Sequence, residues 1–257
     1  MGRTPPMDPA LVDALSQVIL DIAQDVFGTS MTGMIVKGSA IKGDFIPYFS
    51  DFDVHLFADD RVMRGPLVPD ISVAIPFQER FSAIDVDAWQ VSQIQVMMIA
   101  ADNPPQGWIP PLPGSYRVIA GNTPQSYNNV DSDRFRHQAK LNLSGYARWV
   151  ETLLGRIVDK PDHQLADSVR LAGTIMKAAL YEAAIELGDD PVDVWNRSLQ
   201  EILQTVEPQV FDDRPASRYY ERAWNWRDIR TDGNELRPML ADALSALDKL
   251  SSLPDLS

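Results

Sequence analysis

Apolar residues first return with helical spacing over Pro9–Phe27, where Leu11, Leu15, Val18, Ile19, Ile22 and Val26 form one stripe. Asp8-Pro9 supplies a cap followed by a first-turn proline and Gly28 supplies a stop, so the pattern predicts a helix. The next two segments lose that period. Met31–Lys37 (MTGMIVK) is short and apolar and reads as a buried strand; Ser50–Phe57 (SDFDVHLF) alternates and reads as a second. Gly38–Phe49 between them holds two glycines and a proline, which predicts a loop, or a turn with a short helix. Val68–Ser82 predicts a helix that Pro76 weakens, and Gln90–Ala100 a third strand ending in the run VMMIA.

The pattern changes at Asn103–Pro124, which carries six of the 19 prolines and reads as a connection between domains, with Tyr116–Ala120 as a further strand. Beyond it the period is helical throughout. Ser132–Ile157, Gln164–Leu187, Pro191–Gln204, Ala216–Ile229 and Leu236–Leu250 are the expected helices, with Gly188-Asp189-Asp190-Pro191 a stop followed by a fresh start. The fold class expected is α+β: a small mixed-sheet domain over residues 1–122 and a helical bundle over 123–257.

Composition narrows the chemistry. A chain of 257 residues can bury a core without staples, and the absence of cysteine excludes disulfides, thiolate metal sites and a cysteine nucleophile. Thirty-six acidic against 23 basic side chains, a net charge of −13, argue against DNA, because a nucleic-acid binder needs a basic footprint. The same charge suits a cationic substrate, and it also suits simple solubility. No apolar run approaches the roughly 20 residues that span a bilayer, and the first residues lack a signal-type apolar segment, so a cytoplasmic protein with no membrane partner is expected.

The informative stretch is Gly38–Phe57, GSAIKGDFIPYFSDFDVHLF. In a strand, residues i and i+2 share a face, so Asp51 and Asp53 present two carboxylates together, about 6–7 Å apart. Such a pair is best tolerated around a divalent cation, and Mg²⁺ takes a few carboxylates and completes its shell with water and substrate phosphates. A Gly-Ser turn lets backbone N–H groups and a hydroxyl approach phosphate closely. Each piece alone is common; the ordered set of apolar strand, Gly38-Ser39, Gly43, Ser50-Asp51-Phe52-Asp53 and apolar strand is far more specific. No Walker-type phosphate loop or nucleophile elbow is present, and His55, His137 and His163 are too scattered for a zinc site.

This stretch resembles the signature of the DNA polymerase beta-like nucleotidyltransferase superfamily, in particular its antibiotic-modifying branch of streptomycin and kanamycin nucleotidyltransferases. The resemblance implies transfer of a nucleoside monophosphate from a Mg²⁺–nucleoside triphosphate, ATP first, to a hydroxyl of a small molecule such as an aminoglycoside, with release of pyrophosphate. It implies an active site in a cleft between a catalytic domain and a following helical domain. By matched position Gly38 and Ser39 would hold the triphosphate tail, Ser50 would add a phosphate contact, and Asp51 and Asp53 would ligate Mg²⁺.

The family usually carries a third carboxylate on a later strand, as metal ligand or general base. The run from Gln95 through Asp102 to Trp108 is most similar to that strand, and it opens with glutamine, which takes no proton near neutral pH. Asp87, in AIDVDAWQ with Asp85, is the other candidate base; the two share a face if that segment is extended. In the helical half, Arg197 (with Lys177 second) and Tyr219 or Tyr220 correspond to nucleotide-contacting positions of the branch, and Arg136 and Lys140 form a basic pair four residues apart. Two other readings stand beside the transferase. One is a nucleotide-binding protein with weak or no transfer, Gln95 marking the lost base; the other is a toxin–antitoxin-type enzyme acting on protein or RNA. The sequence leaves open whether the chain forms a homodimer.

Overall fold

The computed structural model describes residues 6–105, 110–124 and 131–253; Trp108 lies outside them. The chain divides into two compact units, Arg3–Val130 and Asp131–Ser257, a division eight residues later than the proline-rich segment suggests.

The first unit begins with α1 (Pro9–Phe27), capped by the Asp8 carboxylate, which accepts from Ala10 N–H at 2.9 Å. Its most deeply buried face runs through Val12, Leu15, Ile19 and Ala23, slightly rotated from the predicted stripe. Then follow β1 (Met31–Lys37), the single turn α2 (Ser39–Lys42), β2 (Phe52–Ala58), a small hairpin of β3 (Met63–Gly65) and β4 (Val68–Pro69), α3 (Ile71–Phe81), β5 (Ile94–Ala100) and β6 (Tyr116–Gly121). β1, β2, β5 and β6 form one mixed sheet in the order β5-β2-β1-β6. β1 is antiparallel to both β2 and β6, and β2 is parallel to β5.

Period-two alternation divides the sheet into two faces. Met34, Val36, Phe52, Val54 and Leu56 pack with Leu15 and Ile19 of α1 and Val73 and Phe77 of α3 into the main core. Ile35, Phe57 and Ile99 form a smaller apolar cluster on the other face, with Met97 and Tyr116 packed against it. Lys37, Asp53 and Gln95 lie at one end of that second face.

Several predicted boundaries move for identifiable reasons. The third strand starts at Ile94 rather than Gln90, because Asp87–Trp89 close a 3-10 turn and Gln90 sits at φ +57°. The helix predicted from Val68 starts at Ile71, where Asp70 accepts from Ser72 N–H at 2.9 Å. Pro76 is accommodated inside it.

The second unit contains α4 (Ser132–Ile157), α5 (Leu165–Glu186), α6 (Pro191–Asn196), α7 (Leu199–Val210), α8 (Pro215–Ala223), α9 (Trp226–Ile229) and α10 (Gly233–Ser251). α4, α7 and α10 pack around α5, which is buried along most of its length. The helix predicted over Pro191–Gln204 is two helices. Ser198 caps α7 and Glu201 reaches back to the Ser198 N–H at 2.7 Å, a reciprocal capping box that ends one helix and begins the next. The predicted Ala216–Ile229 helix likewise breaks, at Trp224–Asn225. Among the described residues no helix is long and apolar enough to cross a membrane.

Candidate active site

The end of β1 and the start of β2 are neighbours in an antiparallel pair, so Lys37 stands opposite Asp53. Gly38 follows at φ +74° and ψ −149°, a backbone region that only glycine enters without strain. A Cβ added there would stand 2.7 Å from Asp53 Oδ2. Glycine is therefore required twice, once by the backbone and once by the carboxylate beneath it. The Gly38 N–H donates to the Ser115 carbonyl at 3.1 Å, and its own carbonyl accepts from Ile41 and Lys42, both at 3.0 Å, which fixes α2 directly after the turn. Ser39 opens α2 and is half-buried, while Ala40 anchors the turn in the main core.

The chain then folds over Phe45, Ile46 and Phe49, all buried, to reach β2. Ser50 closes this loop: its Oγ accepts from Ile46 N–H at 2.9 Å and its N–H donates to the Ile46 carbonyl at 2.8 Å. A hydroxyl also carries a donor, so this structural task leaves room for a phosphate contact. Asp51 is oriented by the segment leading into β5. Ser92 Oγ donates to its Oδ1 at 2.6 Å and Gln93 Nε2 to its Oδ2 at 3.0 Å. Backbone bonds from Phe52 N–H to the Gln93 carbonyl (2.9 Å) and from Ser92 N–H to the Ser50 carbonyl (3.0 Å) lock the two segments together.

Asp53 pairs in register with Gln95 of the parallel strand β5, so this exposed glutamine stands beside the aspartate on the same face. Asp87 is elsewhere. The segment is not extended, so the condition under which Asp85 and Asp87 would share a face is not met: Asp87 is exposed in the 3-10 turn, its N–H donating to Asp85 Oδ1 at 3.1 Å. The position next to Asp53 belongs to Gln95.

His55, one step further along the same face, is buried, and its pKa is lowered to about 3, by burial first and then by the Lys37 charge. Burial and that charge both favour its neutral form. Lys37 and Tyr116 were not legible as site residues. Tyr116 pairs with Lys37 as Lys37 pairs with Asp53, and this relation exists only once the strands are paired.

The helical candidates divide differently. Tyr219 is corrected from a nucleotide contact to a core residue: it is fully buried, its hydroxyl donates to the Val169 carbonyl at 2.6 Å, and a side chain at Gly173 would collide with its ring. Tyr220 is also buried, its hydroxyl donating to the Gly173 carbonyl at 2.8 Å. Arg197 caps the end of α6 and is held between Asp189 and Asp193, 2.5 Å from each. Those ion pairs account for its placement without a phosphate. Lys140 pairs with Glu186 at 3.6 Å, and Arg136 reaches the Ile185 carbonyl at 3.5 Å.

Among the described residues no group of three or more His, Cys, Asp or Glu side chains gathers as a metal cage. The candidate donors are the carboxylates of Asp51 and Asp53, with the neutral amide of Gln95 in register with Asp53. Mg²⁺ is ordinarily held by one or two carboxylates plus substrate phosphates and water. The set therefore fits an ion that arrives with a triphosphate, with Gly38 leaving open the space against Asp53 that any side chain would fill.

No family model matches the chain, and no curated protein matches it. Among solved structures it is similar to a spectinomycin adenyltransferase from Enterococcus faecalis crystallised with ATP and spectinomycin, at 14% identity and a TM-score of 0.46, over 92% of this chain and 98% of that one.

Proposed function

We propose that the protein is a nucleotidyltransferase, moving a nucleoside monophosphate from a Mg²⁺–nucleoside triphosphate to a hydroxyl of a small molecule and releasing pyrophosphate. The observation that carries the reading is the turn at Gly38 closing on the Asp53 carboxylate, with Asp51 held at the head of the same strand by Ser92 and Gln93. A backbone able to approach phosphate thus meets hard-ion ligands where β1 and β2 pair.

Bound Mg²⁺ supplies neutralisation of charge on the phosphate oxygens. The chain's own residues supply position. Gly38 admits the triphosphate next to Asp53, and Ser39 and Ser50 offer hydroxyls beside it. Asp51 and Asp53 would hold the ion, and the acceptor oxygen would attack the α-phosphorus in line. A bond forms from that oxygen to phosphorus as the bond to the leaving pyrophosphate breaks. The acceptor proton finds no carboxylate at Gln95, so an acceptor carrying its own amine, such as an aminoglycoside, is the class to try first. The net charge of −13 favours such a polycation.

The test is to incubate the purified protein with Mg²⁺, each labelled triphosphate and a panel of hydroxylated acceptors including aminoglycosides, following pyrophosphate. Acceptor-dependent release with transfer of label is expected. A second reading, nucleotide binding with little or no transfer, is favoured by Gln95 beside Asp53. It predicts Mg²⁺-dependent nucleotide binding and no acceptor-dependent pyrophosphate. Absence of both binding and release contradicts both readings.

A further inference from the structure

Strand pairing sets four side chains in one row across the sheet: Tyr116 on β6, Lys37 on β1, Asp53 on β2 and Gln95 on β5. Directly paired residues on one sheet face stand with Cβ atoms about 4.5–5.5 Å apart. The row at the proposed phosphate site therefore carries one cation, one anion and one neutral amide, in that order. Among the described residues no ion pair within 4.0 Å ties Lys37 to Asp53. Asp53 Oδ2 turns instead toward Gly38.

Two-metal phosphoryl-transfer sites hold their ions about 3.5–4 Å apart, and protein carboxylates ordinarily supply part of the shell of a Mg²⁺ ion bound with substrate phosphates. Here Asp51 and Asp53 are followed by Gln95, which brings no charge, and the opposite side of Asp53 is occupied by a cation that repels a second divalent ion. We propose that Lys37 takes the place of a second metal ion: its ammonium binds the triphosphate oxygens directly, and the site takes up a single divalent ion with the nucleotide. The inference rests on the nucleotidyltransferase reading, or equally on its nucleotide-binding alternative, and goes beyond both by fixing the number of ions and the residue that replaces one.

The experiment titrates Mn²⁺ into the full chain with and without α,β-methylene-ATP, which cannot be turned over, and counts bound ions by electron paramagnetic resonance. One nucleotide-dependent Mn²⁺ per chain is expected in the parent. Lys37→Met should weaken the analogue about tenfold or more, the loss of a charge-assisted contact. Lys37→Arg should restore most of it, and the double variant Lys37→Met with Gln95→Glu should bind a second Mn²⁺. Two ions in the parent, or Lys37→Met binding the analogue as the parent does, would overturn the proposal; the parent count decides even where a variant fails to fold. A parent that binds neither analogue nor nucleotide-dependent Mn²⁺ overturns the nucleotide site itself and this inference with it.

Discussion

At Gly38 two independent constraints meet in one residue, a backbone conformation closed to other residues and a carboxylate 2.7 Å from where a Cβ would be. Gly38→Ala should lower stability by about 1–3 kcal/mol, the usual cost of forcing a side chain into such a region. It should also abolish Mg²⁺-dependent nucleotide binding by displacing Asp53. Denaturant unfolding and calorimetry on the same sample check both, and parent-like values in both would contradict this account of the turn. The proposed vacancy of the general base is tested at the same scale. Gln95 stands in register with Asp53 and Asp87 lies on an exposed turn. Gln95→Glu should therefore raise turnover by about tenfold or more, within the range of general base catalysis, and Asp87→Asn should be nearly silent. The opposite pair of outcomes in a pyrophosphate-release assay would return the base to Asp87. The Gly-Ser turn and the two aspartates were readable in sequence because their spacing lies within one hairpin-sized segment. Lys37 was not, because its meaning depends on pairing across strands. Tyr219 misled for a related reason: a buried tyrosine that satisfies its hydroxyl on a carbonyl looks in sequence like one that contacts a ligand.

Among the elements, α4 and α5 are joined by a buried carboxylate with neutral donors. Tyr146 Oη and Asn142 Nδ2 of α4 each donate to Glu182 of α5 at 2.6 Å, and Gln138 supports Asn142 at 2.8 Å. Burial pushes the Glu182 pKa up from 4.5 to about 7, against the smaller opposing effect of those two hydrogen bonds. The protonated form is thus favoured by folding. Its stabilisation is fully present below the unfolded value near 4.5 and is lost as pH rises through about 7. The difference amounts to roughly 2–4 kcal/mol across that window. Glu182→Gln, neutral at every pH, should flatten this part of the profile, measured by denaturant unfolding between pH 4.5 and 8; a parent-like slope in the variant would contradict it. Helix positions were largely legible from period and caps. The α6–α7 break was written in the sequence as Ser198-x-x-Glu201, a start signal inside an apolar period long enough to pass for one helix. The order of strands in the sheet was not legible, since nothing local distinguishes β6 from β5 as the neighbour of β1.

For the molecule as a whole, net charge sets the terms on which a nucleotide can bind. A chain of net charge −13 repels a triphosphate, and the carboxylates proposed to receive it add to the repulsion unless a divalent ion stands between. Nucleotide affinity should consequently depend on Mg²⁺ and on Asp53 together. The direct measurement is calorimetric titration of ATP and of GTP into the parent and into Asp53→Asn, each with and without Mg²⁺, with circular dichroism confirming that the variant is folded. At least one nucleotide should bind the parent only with Mg²⁺, and the folded variant should lose this binding, an amide being a poor ligand for a hard ion. Equal affinity with and without Mg²⁺, or undiminished Mg²⁺-dependent binding by Asp53→Asn, would contradict it.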